Sequence, residues 1–407
     1  MKLKITKGEI KKRLSLPSSK SWANRFLIAG AIQKGETIIQ NISPSTDVKN
    51  LLNAFSQIGL DIEFNDKTVR IKNSFPACEL DNSYDIIKLS TGDGGTTNRF
   101  LLALLSRGKK RYQISVSKDF ANRPNSDLFD ILSEGGVDLK FGDNKSFWVE
   151  ICGNGGITSD KTIEVDCGTS TQFLSGLMLS YADLKVNFIP KKLKSSGAYV
   201  EMTKKVVEYF KSGRNNFVTP VDFSSLGYPV AFICDGGKLE ILNCYKVDKF
   251  QADSYLIKFL EKKGAVFAFG NNGLTVSASA FDYKSFSQEC SGFPDLVPTL
   301  AFIACLCHGE STLSGLGVLK HKESNRYDVI CDILKEAGIK VRTNDTNDEM
   351  KIVGPCTEIK NLNVSLPPDH RMVMLATMLI KKFGNGEVDQ TQHVKKSYPS
   401  FFEDFNV

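Results

Sequence analysis

One pattern constrains this chain more than any other. Six apolar segments with small residues at their middles recur along it, each opened by a turn rich in Gly, Ser, Thr or Pro. They begin near Asn24, Asn98, Thr171, Pro229, Pro298 and Arg371, at intervals of roughly seventy residues with one shorter step, which is the mark of a repeat architecture. A helix that is apolar on every side has to be buried. Amphipathic segments alternate with these, at Leu51–Gly59, Leu128–Gly136, Met202–Gly213, Ser254–Gly264 and Asp328–Gly338. Each closes on a glycine suited to a helix C-terminus. β-Branched and aromatic runs follow, and the tail Val394–Phe405 reads as a reduced sixth copy.

A chain of 407 residues is too long for one hydrophobic core. Six strand–helix units divide as three plus three, with the break expected in Arg214–Gly227, where Asn, Pro and Ser collect. The expectation is an α/β protein of two similar domains, buried helices at the centre of each and sheets outside.

The turns ahead of the apolar segments carry the chemistry. The first, Leu16–Arg25, opens with Pro17 and three serines that could cap a helix, and it places Lys20 and Arg25 about one turn apart. A helix N-terminus favours anions, so cations there answer to an anionic ligand rather than to stability. Arg99 and Arg371 repeat the arrangement at two further helix starts. If the six starts face one cleft, hydroxyls and backbone N–H groups would donate and Arg and Lys would supply counter-charge. The bland alternative is six ordinary N-caps. Lys322, Glu323 and Arg326 equally fit a capping and i,i+3 network, and Lys395 and Lys396 a solvated tail.

Composition narrows the partners. The net charge of +6 suits small acidic molecules better than nucleic acid, because no Lys/Arg run interleaves with aromatics. The apolar runs Ala301–Cys307 and Met372–Ile380 are short of a membrane span. The N-terminal lysines alternate with Leu3, Ile5 and Ile10 as in an edge strand or hairpin, and no apolar targeting segment follows. Ten cysteines lack CxxC pairs, so a reducing, cytoplasmic setting is expected. Gly92 and Gly94 lack the third glycine of a dinucleotide turn, and Lys20-Ser21 lacks the glycines of a phosphate loop. His370 has no partner at metal-ligand spacing. No metal or cofactor is expected.

Read together and in order, these motifs resemble the 5-enolpyruvylshikimate-3-phosphate (EPSP) synthases over nearly the whole chain. The resemblance rests on Leu16, Pro17, Ser19, Lys20, Ser21 and Arg25; on Gly92, Gly95, Thr96 and Arg99; and on Arg123-Pro124, Ser170-Thr171-Gln172-Phe173 and Pro294-Asp295-Leu296. It continues through Lys322–Arg326, Asp369–Met372 and Lys396–Pro399. It implies the enolpyruvyl transferase fold, a two-domain inside-out α/β barrel of six βαβαββ-like repeats. Residues 14–222 would form the N-terminal domain, and residues 1–13 with 223–407 the C-terminal one, with the active site in the cleft between them. It implies a monomer that transfers the enolpyruvyl group of phosphoenolpyruvate to the 5-hydroxyl of shikimate 3-phosphate.

By matching position, Lys20, Ser21, Arg25, Ser170, Thr171, Gln172, Ser196, Tyr199, Asp295 and Lys322 would bind shikimate 3-phosphate. Lys20, Gly95, Arg123, Gln172, Arg326, Arg371 and Lys396 would bind phosphoenolpyruvate. Asp295 is the expected base for the hydroxyl, with Glu323 and Lys20 as candidates for the methylene proton. The chain departs from the family pattern at Asp93, usually Asn, and at Asn325, usually Asp, which keeps open a catalytically impaired anion-binding relative. The sister transferase acting on UDP-N-acetylglucosamine would need a reactive cysteine in the first domain's mobile loop, and no cysteine lies between Cys78 and Cys152.

Overall fold

A computed structural model of the chain describes residues 2–79, 85–121, 123–142, 147–158, 160–193 and 197–407. The chain forms two compact units, Ser18–Pro220 and Met1–Pro17 with Val221–Val407.

Among the described residues six buried helices are present: Lys20–Ile32, Gly95–Leu105, Gln172–Ser180, Phe223–Phe232, Val297–Leu306 and His370–Phe383. Every residue of Val297–Leu306 is buried, as an all-round apolar sequence requires. Such helices pack closely where side chains are small. A Cβ on Gly176 would stand 3.2 Å from the Phe100 ring and 3.3 Å from the Ala103 methyl, so this glycine lets two of them meet.

Four of these helices, Gly95–Leu105, Gln172–Ser180, Val297–Leu306 and His370–Phe383, lie between two strands that pair in parallel. The second repeat runs Ile87–Gly92, helix Gly95–Leu105, Arg111–Val116, helix Ser126–Glu134, then the hairpin Asp138–Phe141 and Trp148–Cys152. Its first two strands are parallel, with Leu89 opposite Ile114, and the hairpin adds antiparallel partners. Three more four-stranded sheets share this spatial order of strands. In the third repeat Lys161–Asp166 pairs with Val186–Lys191 as a two-stranded sheet.

Sequence-distant strands complete several sheets. Asn216–Val218 closes the first repeat against Thr37–Gln40, Arg13–Leu14 closes the fourth against Lys238–Ile241, and Leu3–Thr6 pairs antiparallel with Gly384–Val388 in the sixth. The Lys-rich N-terminus therefore does supply edge strands. The tail lacks a hairpin of its own, and continues as a 3₁₀ turn at Thr391–Lys396 and a short helix at Phe401–Asp404.

Two local expectations are corrected. The fourth buried helix starts at Phe223, not near Pro229, which lies inside it. Its cap is Asp222, whose carboxylate accepts from the Ser225 amide. Nor do the serines cap the Lys20–Ile32 helix: Ser19 occupies the cap position without a side-chain cap bond, and Ser18 instead pairs with Ser43.

Candidate active site

In the Ser18–Pro220 unit, contacts join the starts of all three buried helices. Lys20 is the first residue of its helix, and its Nζ lies 2.9 Å from Asp47 Oδ2. Asp47 is buried in the first turn of the Thr46–Gln57 helix, where the helix dipole favours a carboxylate. A Cβ on Gly94 would fall 2.8 Å from Asp47 Oδ1, so Asp47 stands between Lys20 and the glycine turn. Gly95 opens the next helix. A Cβ there would meet Arg123 Nη1 at 3.1 Å and Gln172 Oε1 at 3.2 Å. Glycine is therefore what allows Arg123 and Gln172 to approach that backbone. Gln172 opens the third helix, donates to Thr96 Oγ1 at 3.0 Å and accepts from Arg99 Nη1 at 2.7 Å. Ser170 Oγ accepts from the Gln172 amide, and Thr171, at the cap position, makes no side-chain cap bond.

Arg25 and Arg99, expected at helix starts, lie in the second turns and point into the protein. Arg25 donates to Thr203 Oγ1, Ser175 Oγ and the Ser21 and Tyr199 carbonyls. Arg99 donates to Asn125 Oδ1, Ser170 Oγ, Gln172 Oε1 and the Pro124 carbonyl. These acceptors are all neutral. Burial pushes Arg25 down to about 10, and burial with the Arg123 charge pushes Arg99 down to about 9. Arg123 Nε and Nη2 are buried without a hydrogen-bond partner among the described residues. Buried guanidinium groups without counter-ions are costly, and an arriving anion relieves that cost. Ser196 lies outside the described residues.

The Val221–Val407 unit is built differently, with carboxylates and cations interleaved. Asp295 sits in the 3₁₀ turn Pro294–Leu296, ahead of the Val297–Leu306 helix. Its oxygens lie 2.8 Å from Arg326 Nη1, 3.3 Å from Lys322 Nζ and 3.3 Å from Arg371 Nη2. Glu323 lies 2.5 Å from Arg326 Nη2 and 2.9 Å from Lys396 Nζ. Asp369 caps the His370–Phe383 helix through the Arg371 amide and receives Arg326 Nε at 2.8 Å. Arg371 also reaches Ser224 Oγ at 3.2 Å and the Tyr228 hydroxyl at 3.3 Å. Its Nε is buried without a hydrogen-bond partner among the described residues. The starts of this unit's three buried helices are thus joined through Arg371.

Burial alone would raise these carboxyls. At Asp295 the charges of Arg371, Lys322 and Arg326 outweigh burial and hold it well below the usual carboxylate range. At Glu323 Lys396 and Arg326 do the same. Burial lowers the proton affinity of His370, so near neutral pH its ring is uncharged and the two cations carry that effect. Arg326 itself is buried and serves three carboxylates at once.

His370, expected to stand apart from metal chemistry, does have spatial partners. Among the described residues Glu323, Asp369 and His370 bring ligand-type atoms within 4.8 Å of one another. Both carboxylates already face Arg326, and Glu323 also faces Lys396. A divalent ion would have to displace those cations, so the donor set does not suit one. No described helix is long and apolar enough to cross a membrane.

Sequence reasoning missed Asp47, although it sits in an evident capping segment. Nothing local distinguishes it from an ordinary first-turn acid; its partner Lys20 is 27 residues away in sequence.

Residues 5–405 match the family model described as EPSP synthase (3-phosphoshikimate 1-carboxyvinyltransferase). The chain belongs to the EPSP synthase family. It is 29% identical over 413 residues to the 3-phosphoshikimate 1-carboxyvinyltransferase of Pyrococcus abyssi, covering 97% of this chain and 94% of that one. It is 26% identical over 422 residues to the Buchnera aphidicola (subsp. Cinara cedri) protein of the same name, covering 97% and 94%. Among solved structures it is similar to an EPSP synthase from Acinetobacter baumannii, with TM-score 0.76, 21% identity, and coverage of 100% of this chain and 97% of that one. That last likeness carries the fold.

Proposed function

We propose that this member of the EPSP synthase family transfers the enolpyruvyl group of phosphoenolpyruvate to the 5-hydroxyl of shikimate 3-phosphate and releases inorganic phosphate. The observation that carries the proposal is the near-full-length family match, on a chain whose matched charged residues touch one another at helix starts. Lys20, Ser21, Arg25, Ser170, Thr171, Gln172, Ser196, Tyr199, Asp295 and Lys322 bind shikimate 3-phosphate. Lys20, Gly95, Arg123, Gln172, Arg326, Arg371 and Lys396 bind phosphoenolpyruvate. Together the substrates carry two phosphates and two carboxylates, which Arg receives in pairs of hydrogen bonds and Lys as a point charge.

The reaction is an addition followed by an elimination. The 5-hydroxyl oxygen bonds to the enol carbon, its proton leaves to a base, and the methylene carbon gains a proton. The methyl group so formed then loses a proton, the carbon–oxygen bond to phosphate breaks, and the double bond returns. Asp295 is the base. Glu323, with Lys20, handles the proton at the methylene carbon. No covalent intermediate with the enzyme is needed.

The electrostatics make this conditional on substrate. While Arg371, Lys322 and Arg326 hold Asp295 well below the usual range, it is a weak base. Substrate phosphate and carboxylate groups compete for the same cations, and the proton affinities of Asp295 and Glu323 rise as they do. The base is thus strengthened when there is something to deprotonate.

The test is phosphate release by the purified protein from phosphoenolpyruvate, with and without shikimate 3-phosphate. Release only with both substrates is expected. A folded protein that releases none, or that needs no shikimate 3-phosphate, refutes the proposal.

A further inference from the structure

We propose that Asp253 is a positioning residue: through the Ser224 hydroxyl it fixes the Arg371 guanidinium for phosphoenolpyruvate. The inference rests on the functional reading of Arg371 given above.

Asp253 lies in the 3₁₀ turn Ala252–Ser254 and is 2% exposed. One carboxylate oxygen accepts from the Ser224 hydroxyl; the other is buried with no hydrogen-bond partner among the described residues. Ser224 Oγ in turn lies 3.2 Å from Arg371 Nη2, the nitrogen that also reaches Asp295 Oδ2 at 3.3 Å. The turn is held in place. Gln251 accepts from the Phe223 amide at 3.0 Å and donates to the Val221 carbonyl at 2.7 Å, which fastens it to the start of the Phe223–Phe232 helix.

Packing alone does not call for a carboxylate here. An apolar or amide side chain would fill the space, and a buried charge is costly. What the charge adds is direction. A hydroxyl has one proton to give. An ionised Asp253 can only accept, so Ser224 must donate to it, and the serine lone pairs are left for Arg371. A protonated Asp253 can donate to Ser224 instead. The direction of the bond is then no longer fixed, and the serine lone pairs are no longer held toward Arg371. The carboxylate also attracts the guanidinium across the serine oxygen.

The groups facing Asp253 set where this change falls. Burial and the Asp295 charge raise its carboxyl to about 7, against the pull of Arg371 and the Ser224 hydrogen bond; Asp222, at the cap of the Phe223–Phe232 helix, adds a further negative charge. Tyr228, on the same helix, meets Arg371 from another side. The contact is therefore best held above neutral pH and loosens below it.

The experiment compares wild type, Asp253→Asn and Ser224→Ala by steady-state kinetics from pH 5.5 to 9, with each substrate varied in turn. For both variants the KM for phosphoenolpyruvate at pH 8 should rise about five- to tenfold, the scale of one hydrogen bond to a charged group. The KM for shikimate 3-phosphate and kcat should change less than about twofold on the same scale. The fall of kcat/KM for phosphoenolpyruvate below pH 7 should be weaker in Asp253→Asn than in wild type. Unchanged KM for phosphoenolpyruvate in both folded variants overturns the inference, as does an equal rise for both substrates. If Asp253→Asn does not fold, Ser224→Ala reads the same contact and decides alike. An inactive wild type overturns the enolpyruvyl-transfer reading and this inference with it; an active wild type with unaltered variants overturns this inference alone.

Discussion

Replacing Arg326 with methionine separates the charge network of the Val221–Val407 unit into parts whose cost can be worked out. Arg326 is buried and contacts Asp295, Glu323 and Asp369 at 2.8, 2.5 and 2.8 Å. Asp295 would keep Lys322 and Arg371, and Glu323 would keep Lys396. Asp369 is the exposed weakness. It is wholly buried and, among the described residues, would retain the Ser324 hydroxyl and the Arg371 amide as donors. Stranding one partner of a buried pair costs about 3–5 kcal/mol, so a loss of about 4 kcal/mol is expected at pH 7. For a unit of about 200 residues that is a fall in melting temperature of about 8–16 °C.

The pH dependence supplies the sign. In the wild type Asp295, Glu323 and Asp369 are all held below their ordinary values. Their stabilisation is present above about pH 4, the unfolded value, and is lost as pH falls through the depressed folded values. In Arg326→Met, burial without its counter-charge raises Asp369, which then gains stability on protonation. The deficit against wild type should therefore shrink from pH 7 to pH 5. Adding Asp369→Asn, which keeps the cap acceptor, should recover most of the loss at pH 7, since removing both charges of a buried pair is far milder than removing one. Thermal unfolding of the three proteins across pH 5–8 is the assay. A shift under about 2 °C for Arg326→Met, which is under about 1 kcal/mol, or a deficit that grows on acidification, refutes the reasoning.

Two further outcomes follow from the same geometry. Asp295→Asn removes the proposed base while keeping its shape, and should lower kcat by roughly a hundredfold or more, with shikimate 3-phosphate still binding in an equilibrium titration; an unchanged kcat removes Asp295 from proton transfer. Asp47→Asn removes the charge 2.9 Å from Lys20 Nζ and should cost about tenfold in kcat/KM, the scale of one charge-assisted hydrogen bond, with a small loss of helix stability of about 0.3–1 kcal/mol from the first-turn dipole. Kinetics and thermal melting on the same samples check both parts.

The fold was legible where one physical demand acted alone. All-round apolar segments such as Val297–Leu306 could only be buried helices, and the alternation ahead of Gly8 read as an edge strand or hairpin and is an edge strand. Boundaries failed where two signals competed. Pro229 looked like a helix opener because proline tolerates the first turn. Yet Asp222 had already capped the helix seven residues earlier, and the stretch between them is apolar enough to be drawn into the core. The serines of the first turn looked like caps by type, but the turn spends Ser18 on Ser43. Site residues were legible when their type was unusual for their place, as with cations at helix starts. Asp47 and Asp253 were not. Each is a common residue in a common turn, and each acquires a role from partners 27 and 29 positions away.

The two residue sets also divide the chemical labour in a way neither motif order nor composition conveys. Around Arg25 and Arg99 the acceptors are serine, threonine, asparagine and glutamine oxygens and backbone carbonyls. Such groups orient a cation without neutralising it, so its field remains available to an anion. Around Arg326 and Arg371 the acceptors include ionised carboxylates, so an anion arriving there exchanges one counter-charge for another. The first arrangement favours holding a substrate with little change in protonation. The second converts the arrival of charge into a rise in the proton affinity of Asp295 and Glu323. On the proposed roles, the carboxylates Asp295 and Glu323 that exchange protons lie where cations are already paired, whereas Arg25 and Arg99 keep their charge unneutralised. It follows that a substitution among the neutral acceptors, such as Ser175→Ala, should act on KM, whereas one among the carboxylates should act on kcat.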